Sequence, residues 1–426
     1  MNLSFLKSKE TKNASWIIGG KIAQMALSLF VGVLSARYLG PANYGTINYG
    51  MALTSFFMSL CTLGLPKIVI KDFLDNPDEQ GEALGSAIMM RVISSLASSA
   101  MIIGISFVLD YGSWETVVVV ALCSTSLFFH AFDTIGYWFQ AQYKSKVNSI
   151  AGLVAYAVTS AYKIVLLILK KSVCWFAFAA ALDYMVVGLL QLCAYKRYRG
   201  PGLIASASKG KYLLKNSYHY ILSGMMVSIY GQTDKLMLKQ MMNEETVGYY
   251  ATATAICSMW TFLLSAIIDS MFPTIVTSFK EDKELFERKN RQLYAIVFYI
   301  SMLVSVGFLL FGDLVIKILY GAAYEPAGLP LKIVTWYTAF SYFGVARGAW
   351  IVCNEKQKYL KYMYAFAAIL NIGLNLLLIP TLGASGAALA SLITQMFTSI
   401  VIPSCIKDLR PNVKLIMDAV LLRGVF

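Results

Sequence analysis

The chain has 426 residues, 58% of them hydrophobic and only 14% charged, with a formal net charge of +13. That balance excludes an ordinary water-soluble domain of this length and points to a chain solvated largely by lipid. Nucleic-acid binding is set aside, because the positive charge is confined to alternate loops between apolar runs.

Taken in chain order, the apolar runs lie near 14–35, 44–64, 84–109, 116–139, 150–169, 174–195, 216–238, 247–273, 294–319, 331–352, 359–379 and 386–406. Each approaches the roughly 20 residues a helix needs to cross a hydrocarbon core of about 30 Å. Of the 36 basic residues, about 25 fall in the termini and even-numbered loops; the odd-numbered loops hold only Arg37, Lys170, Lys171 and Lys239. Basic residues are retained in the cytoplasm during insertion, so this alternation places both termini there. The short basic segment Met1–Asn13 resembles a signal sequence, but the run behind it is too long for one, and it is read as an uncleaved first helix.

The run Arg37-Tyr38-Leu39-Gly40-Pro41-Ala42-Asn43-Tyr44-Gly45 links the first two spans. It is echoed after the seventh, where Lys239 leads through Asn243 to Val247-Gly248-Tyr249-Tyr250-Ala251. The longest basic connection, Lys196 through Lys215, divides the spans six and six. The expected organisation is an all-α polytopic membrane protein of about twelve transmembrane helices in two six-helix lobes, 1–200 and 201–406. An even number of spans per lobe makes the repeat parallel, with a pseudo-two-fold along the membrane normal. Lys280–Arg291 mixes signs and reads as a short surface helix with i,i+4 pairs. The tail 407–426, interrupted by Pro411, Lys414, Asp418 and Arg423, is not a thirteenth span but a cytoplasmic interfacial or frayed helix.

No GxxxxGKS/T or DxD motif is present, and the outer loops are too short to build a glycan-processing site, so no enzyme is expected. Seven cysteines are scattered singly and there are two histidines, His130 and His219. Disulfides, metal sites and cofactors are therefore not expected.

Charges inside spans are costly and mark cavities. Lys21, Arg91 and Arg347 come from both halves and fall at similar depth, roughly 8–11 Å inside the cytoplasmic boundary at about 1.5 Å per helical residue. Guanidinium groups suit phosphate as bidentate donors and Lys as a point charge, so these three form a candidate substrate site for a diphosphate or carboxylate head. Asp133 and Asp269 at comparable depth, with Lys163 and Asp183 nearer mid-membrane, are candidates for neutralising the cavity or carrying a coupling proton or sodium ion. Asp234, Lys235, Lys317 and Lys332 belong near the outer end, the last two as snorkelling anchors. Asn371 and Asn375, four apart on span eleven, and the serines following Arg91 add polarity to the interior.

Arg37-Tyr38-Leu39-Gly40-Pro41-x-x-Tyr44-Gly45 resembles the opening signature of bacterial polysaccharide flippases, the Wzx-type transporters of O-antigen and capsule units. These belong to the multidrug/oligosaccharidyl-lipid/polysaccharide exporter superfamily. Tyr137-Trp138-Phe139-Gln140, Thr233-Asp234-Lys235 followed by Val247-Gly248-Tyr249-Tyr250, and Pro380 with Gly383-Ala384-Ser385-Gly386 resemble further elements in the same order. The resemblance implies two lobes around a central cavity and a structural role for Arg37, Gly40, Pro41, Tyr44, Gly45, Asp234, Gly248 and Tyr249. It also implies translocation of an undecaprenyl-diphosphate-linked oligosaccharide across the bacterial inner membrane by alternating access. Membrane lipids and the polymerase of the same pathway are the expected partners, and H+, Na+ or membrane potential the energy source. Rival readings are a lipid II flippase, a cation-coupled drug exporter and, from another class, a membrane glycan polymerase or ligase.

Overall fold

A computed structural model describes residues 9–425, apart from the side chains of 9–23, 25, 26, 222, 223, 227 and 230. Among the described residues the chain is helical without a strand, and each expected span lies on helix. The order is α1 (Lys9–Thr62), α2 (Leu65–Asp75), α3 (Gln80–Leu109), α4 (Trp114–His130), α5 (Ile135–Ala141), α6 (Ser145–Ile168), α7 (Val173–Ala177), α8 (Ala179–Arg197) and α9 (Ala207–Met241). There follow α10 (Glu244–Glu281), α11 (Lys283–Leu319), α12 (Gly328–Ala346), α13 (Gly348–Cys353), α14 (Leu360–Leu382), α15 (Ala384–Met396), α16 (Ile402–Cys405) and α17 (Arg410–Val420). Nine segments among the described residues are long and apolar enough to cross a membrane. The first two spans count there as one, and α9 and α12 are absent from the nine. The first carries Lys211, Lys215, Asp234 and Lys235, and the second Thr335, Trp336, Tyr337 and Thr338. The protein is a multi-pass membrane protein of the all-α class.

The contacts divide the chain into two compact units, Met1–Leu39 with Thr46–Ser228, and Gly40–Gly45 with Ile229–Phe426. This compactness boundary falls inside α9, whereas the sequence boundary at 200/201 marks the basic loop ahead of it. In the first unit Leu65, Val69, Phe73, Leu84, Ile135, Phe139 and Leu213 are buried together. The loop between α8 and α9 is strapped along α3. Ile204 N donates to the Gly81 carbonyl at 3.2 Å, Ser206 N to Ser86 Oγ at 2.9 Å, and Tyr195 OH to the Pro201 carbonyl at 2.6 Å. Lys209 then fastens the start of α9 to Asp72 at 2.9 Å and Glu79 at 2.8 Å. Burial alone would push its ammonium pKa down, but hydrogen bonds to Glu79 and Asp72 outweigh that and hold it above the ordinary value.

The kink in α1 has a local cause. Gly40 sits at φ 72°, ψ 169°, because the following Pro41 disfavours the helical region at its predecessor and only glycine enters this one without strain. The six residues Gly40–Gly45 belong to the second unit, where they meet the start of α10. A Cβ on Gly45 would collide with the Glu244 carbonyl, and one on Gly248 with the Pro41 carbonyl. The two echoed motifs are thus packed backbone to backbone. Tyr44 adds an edge-on ring contact to Tyr324, with centroids 6.3 Å apart.

The second unit is built on Ile275, Phe286, Leu293, Tyr294, Phe343 and Ile416. The stretch Lys280–Arg291 is not a separate surface helix. It is the junction of two long ones, broken at Asp282, whose carboxylate accepts from the backbone N–H of Glu284 at 3.0 Å and Leu285 at 3.3 Å. An N-cap carboxylate satisfies donors that a continuous helix would not leave free, so the sequence starts α11 there. The i,i+4 contact that forms, Arg291 to Glu287, is loose at 3.9 Å. Helix α17, at about 16 Å, is too short to span. It buries Val413, Leu415, Ile416 and Ala419. Asn412 donates to Tyr294 OH at 2.7 Å, and Tyr299 OH to the Val420 carbonyl at 2.9 Å. The tail is docked rather than frayed.

Candidate functional site

Arg91, on α3, is fully buried in the first unit. Opposite it the fourth span does not run through as one helix. α4 stops at His130, a 3-10 turn occupies Ala131–Thr134, and α5 resumes at Ile135. The interruption gathers acceptors from the turn and from both helix ends beside it. Arg91 Nη1 donates to Thr134 Oγ1 at 2.8 Å and Tyr137 OH at 3.2 Å, while Nη2 reaches His130 Nδ1 at 2.6 Å and its carbonyl at 3.0 Å. Nε is buried without a partner.

Arg347 sits between α12 and α13 in the second unit and is only 2% exposed. Its acceptors are the carbonyls of Ser399 at 2.5 Å and Thr398 at 3.3 Å. Both lie in a π-helical turn, Phe397–Val401, whose wider hydrogen-bond register turns carbonyls outward. Ser399 also donates to the Phe340 carbonyl at 2.6 Å, which ties this turn to α12. Among the described residues neither arginine has a carboxylate in ion-pair range. All their acceptors are neutral, so two permanent positive charges are held in the interior by hydrogen bonds rather than by a direct ion pair. Lys21 falls on α1, but its side chain lies outside the described ones.

The remaining candidates fall into different settings. In the first unit Asp133 accepts from Gln191 at 3.2 Å, and Asp183 from Thr159 at 3.4 Å. Lys163 acts on Asp183 electrostatically without an ion pair within 4.0 Å. The His130 ring stands edge-on to Tyr184 with centroids 4.7 Å apart, so Arg91, His130, Asp133, Tyr137, Tyr184 and Gln191 share one polar region. In the second unit Asp269 is exposed. Arg37 is also exposed, and Tyr249 OH donates to Glu245 at 2.5 Å.

Asp234 has the most developed surroundings of all the acids. It is 7% exposed. Oδ2 accepts from Tyr250 OH and Ser391 Oγ, both at 2.5 Å, and Oδ1 from Asn375 Nδ2 at 2.7 Å. Asn375 also donates to Asn371 Oδ1 at 3.0 Å, and Asn371 donates to Ser391 Oγ at 3.3 Å. Asn375 Oδ1 is left buried with no donor. A carboxylate and an orphaned amide oxygen in one buried cluster make an acceptor-rich place suited to a proton or a small hard cation. The cluster borders a cavity of about 380 Å³ lined also by Lys235, Tyr337, Ser341 and Tyr342. By sequence Asp234 falls near the outer end and among the motif residues. The Asn371/Asn375 spacing and the motif containing Tyr250 are the signals the sequence offers, whereas Ser391 gives none. Among the described residues all seven cysteines are free thiols, three of them buried, and no cluster of His, Cys, Asp or Glu is arranged for a metal ion.

Comparison with known proteins agrees with the motif resemblance in family and fold. The profile of a family described as "Polysaccharide biosynthesis protein" matches residues 34–328. The capsular polysaccharide biosynthesis protein CapF of Staphylococcus aureus is 21% identical over 399 residues, covering 90% of this chain and 96% of that protein. Among solved structures, the lipid II flippase MurJ in an inward closed conformation matches with a TM-score of 0.72 at 15% identity, over 96% of this chain and 91% of that one. An inward-facing multidrug resistance MATE family transporter of the MOP superfamily gives 0.67 at 15% identity, over 92% and 94%. At such identities the two structures establish the fold.

Proposed function

The chain belongs to the polysaccharide biosynthesis protein family, and on that premise we propose that it is a flippase for a lipid-linked glycan. The cargo is an undecaprenyl-diphosphate-linked oligosaccharide repeat unit, carried from the inner to the outer leaflet of the bacterial cytoplasmic membrane for O-antigen, capsule or a related surface polymer. The observation that carries this reading is the family match over most of an all-helical, multi-pass chain. A polar route between the helices spares the sugar hydroxyls from exposure to hydrocarbon. The lobes act by alternating access, with both termini in the cytoplasm, and no bond of the substrate is made or broken.

Within this reading Lys21, Arg91 and Arg347 meet the diphosphate. What supports the two arginines is burial with neutral acceptors only, which leaves their charge free to attract an anion. H+, Na+ or the membrane potential drives the cycle. Asp234 joins Asp133, Asp183, Lys163 and Asp269 as a coupling candidate, supported by its acceptor-rich cluster.

Proteoliposomes loaded with a fluorescent undecaprenyl-diphosphate oligosaccharide test the proposal, with leaflet accessibility as the readout. Protein-dependent movement of this lipid is expected. Movement of lipid II alone, export of a cationic drug alone, or glycan transfer by the purified protein would each replace the proposal with the corresponding rival.

A further inference from the structure

A second cavity of the second unit lies away from Asp234, where the α10–α11 junction, the turn after α13 and the C-terminal segment come together. It measures about 840 Å³. Six basic side chains line it: Lys283, Arg291, Lys356, Lys407, Arg410 and Lys414. Three acids oppose them, and one is already engaged. Asp408 accepts from Tyr359 at 2.8 Å and from Lys356 at 3.0 Å, contacts that hold its carboxyl below the usual carboxylate range. Glu287 has only its loose contact to Arg291, and Asp418 has no ion pair among the described residues. Arg291 and Arg410 each spend one N–H on a carbonyl, of Gly424 and Ser404, both at 2.9 Å. Lys283, Lys407 and Lys414 have no side-chain partner at all among the described residues.

A solvated basic face would explain scattered lysines, but not this arrangement. The cations surround a formed cavity whose wall includes the buried rings of Phe286 and Trp350 and the buried Leu415. The first turn of α17, with Arg410 and Pro411, also lines it and adds the positive end of a helix dipole. α17 is fixed by its apolar face, so these charges are held in place rather than free to disperse. Met417 on this helix and Leu421 and Leu422 in the turn after it are exposed, an apolar edge suited to the level where acyl chains begin.

We infer that this cavity is a binding site for a phosphate-bearing head group, independent of the translocation route and of which glycan is carried. The phosphate could be borne by an anionic membrane lipid or by a soluble diphosphate, and the chemistry recognised is the same. The test uses the purified full-length chain in detergent, titrated with dioctanoyl phosphatidylglycerol, dioctanoyl phosphatidylcholine or inorganic pyrophosphate, with binding followed by calorimetry. Lys407→Gln with Lys414→Gln removes two exposed cations that make no internal contact, and Lys211→Gln with Lys215→Gln in the first unit is the charge-matched control. Saturable binding of the anionic lipid or of pyrophosphate is expected, weakened at least tenfold by the first pair and unchanged by the second. Phosphatidylcholine is expected not to bind. Displacement of the lipid by pyrophosphate assigns the site to the phosphate itself. Lipid binding that pyrophosphate does not compete assigns it to the bilayer, and pyrophosphate binding alone to a soluble ligand. The inference is overturned if neither anion binds saturably, or if both lysine pairs weaken binding equally.

Discussion

The glycines of the two echoed motifs allow a quantitative test of why those motifs have their form. Gly45 and Gly248 are both buried and helical, and a Cβ on either would overlap a backbone carbonyl, of Glu244 and Pro41 respectively. Backbone cannot swing aside as a side chain would, so overpacking at about 1–3 kcal/mol applies at its upper end. Alanine recovers about 1 kcal/mol of helix propensity, which leaves a net loss of about 1–2 kcal/mol for each substitution. At about 2–4 °C per kcal/mol for a unit of this size, Gly45→Ala and Gly248→Ala should each lower the Tm by about 2–8 °C. Both clashes close the same interface, so once one alanine has parted the segments the second has less to displace. The double variant should therefore fall short of the sum by about 0.5 kcal/mol or more. Gly307→Ala is the control, because nothing lies within 4 Å of its Cβ position and only the propensity gain applies. Thermal unfolding of the detergent-purified variants measures all four. If the two alanines match the control, or their effects simply add, the motifs are not held together by this backbone contact.

Arg91→Ala and Arg347→Ala should abolish surface-polymer display at normal protein abundance, and Arg347→Lys should restore it only in part, while Lys317→Ala stays near wild type. Equal display from all of these would leave the arginines as packing residues. Asp234→Asn keeps the shape of the cluster while removing its charge, and should abolish gradient-driven transport in proteoliposomes with little change in Tm; full gradient dependence in the variant would remove Asp234 from the coupling candidates. In a cysteine-free background, cysteines at Asn43 and Ala323 should label from outside intact cells and one at Lys211 should not; outside labelling at Lys211 would invert the topology. Lys209 is unsuitable for that purpose because it is buried. Its folded pKa is raised, so its contribution to stability is complete below the ordinary lysine value of about 10.4 and is lost as pH rises through the folded one. Wild type should thus lose Tm more steeply than Lys209→Met above about pH 10, and parallel curves would contradict the assignment.

The helical class and the positions of the spans were legible because hydropathy is a property of composition along the chain, and composition is what the sequence displays. Arg37–Gly45 reads by sequence as a link between two spans, and the structure carries helix through it with a kink at Gly40. Less visible were the interruptions inside spans. Nothing in Ala131–Thr134 or Phe397–Val401 announces a 3-10 or π turn, yet the acceptors of Arg91 lie in or beside the first, and those of Arg347 lie in the second. Residue type and depth selected the two arginines, but their partners depend on tertiary packing. Asp234 shows the same limit. Its motif drew attention to it, while its network joins residues as far apart as Tyr250 and Ser391. The mixed-charge run at Lys280–Arg291 was read as a solvated helix because the capping role of Asp282 depends on where the chain turns.

The strap over α3 bears on how this protein can be engineered. A charged loop near the middle of a chain invites insertion of a tag or fluorescent reporter, on the assumption that it is slack. Between Tyr195 and Lys209 the backbone is committed to Gly81 and Ser86, and the segment closes on an ion pair with Asp72 and Glu79. An insertion there would not lengthen a tether but would peel a structural band off the first unit. Exposed Lys211 and Lys215 look like loop residues by charge alone, yet they lie on helix directly beyond that fastening.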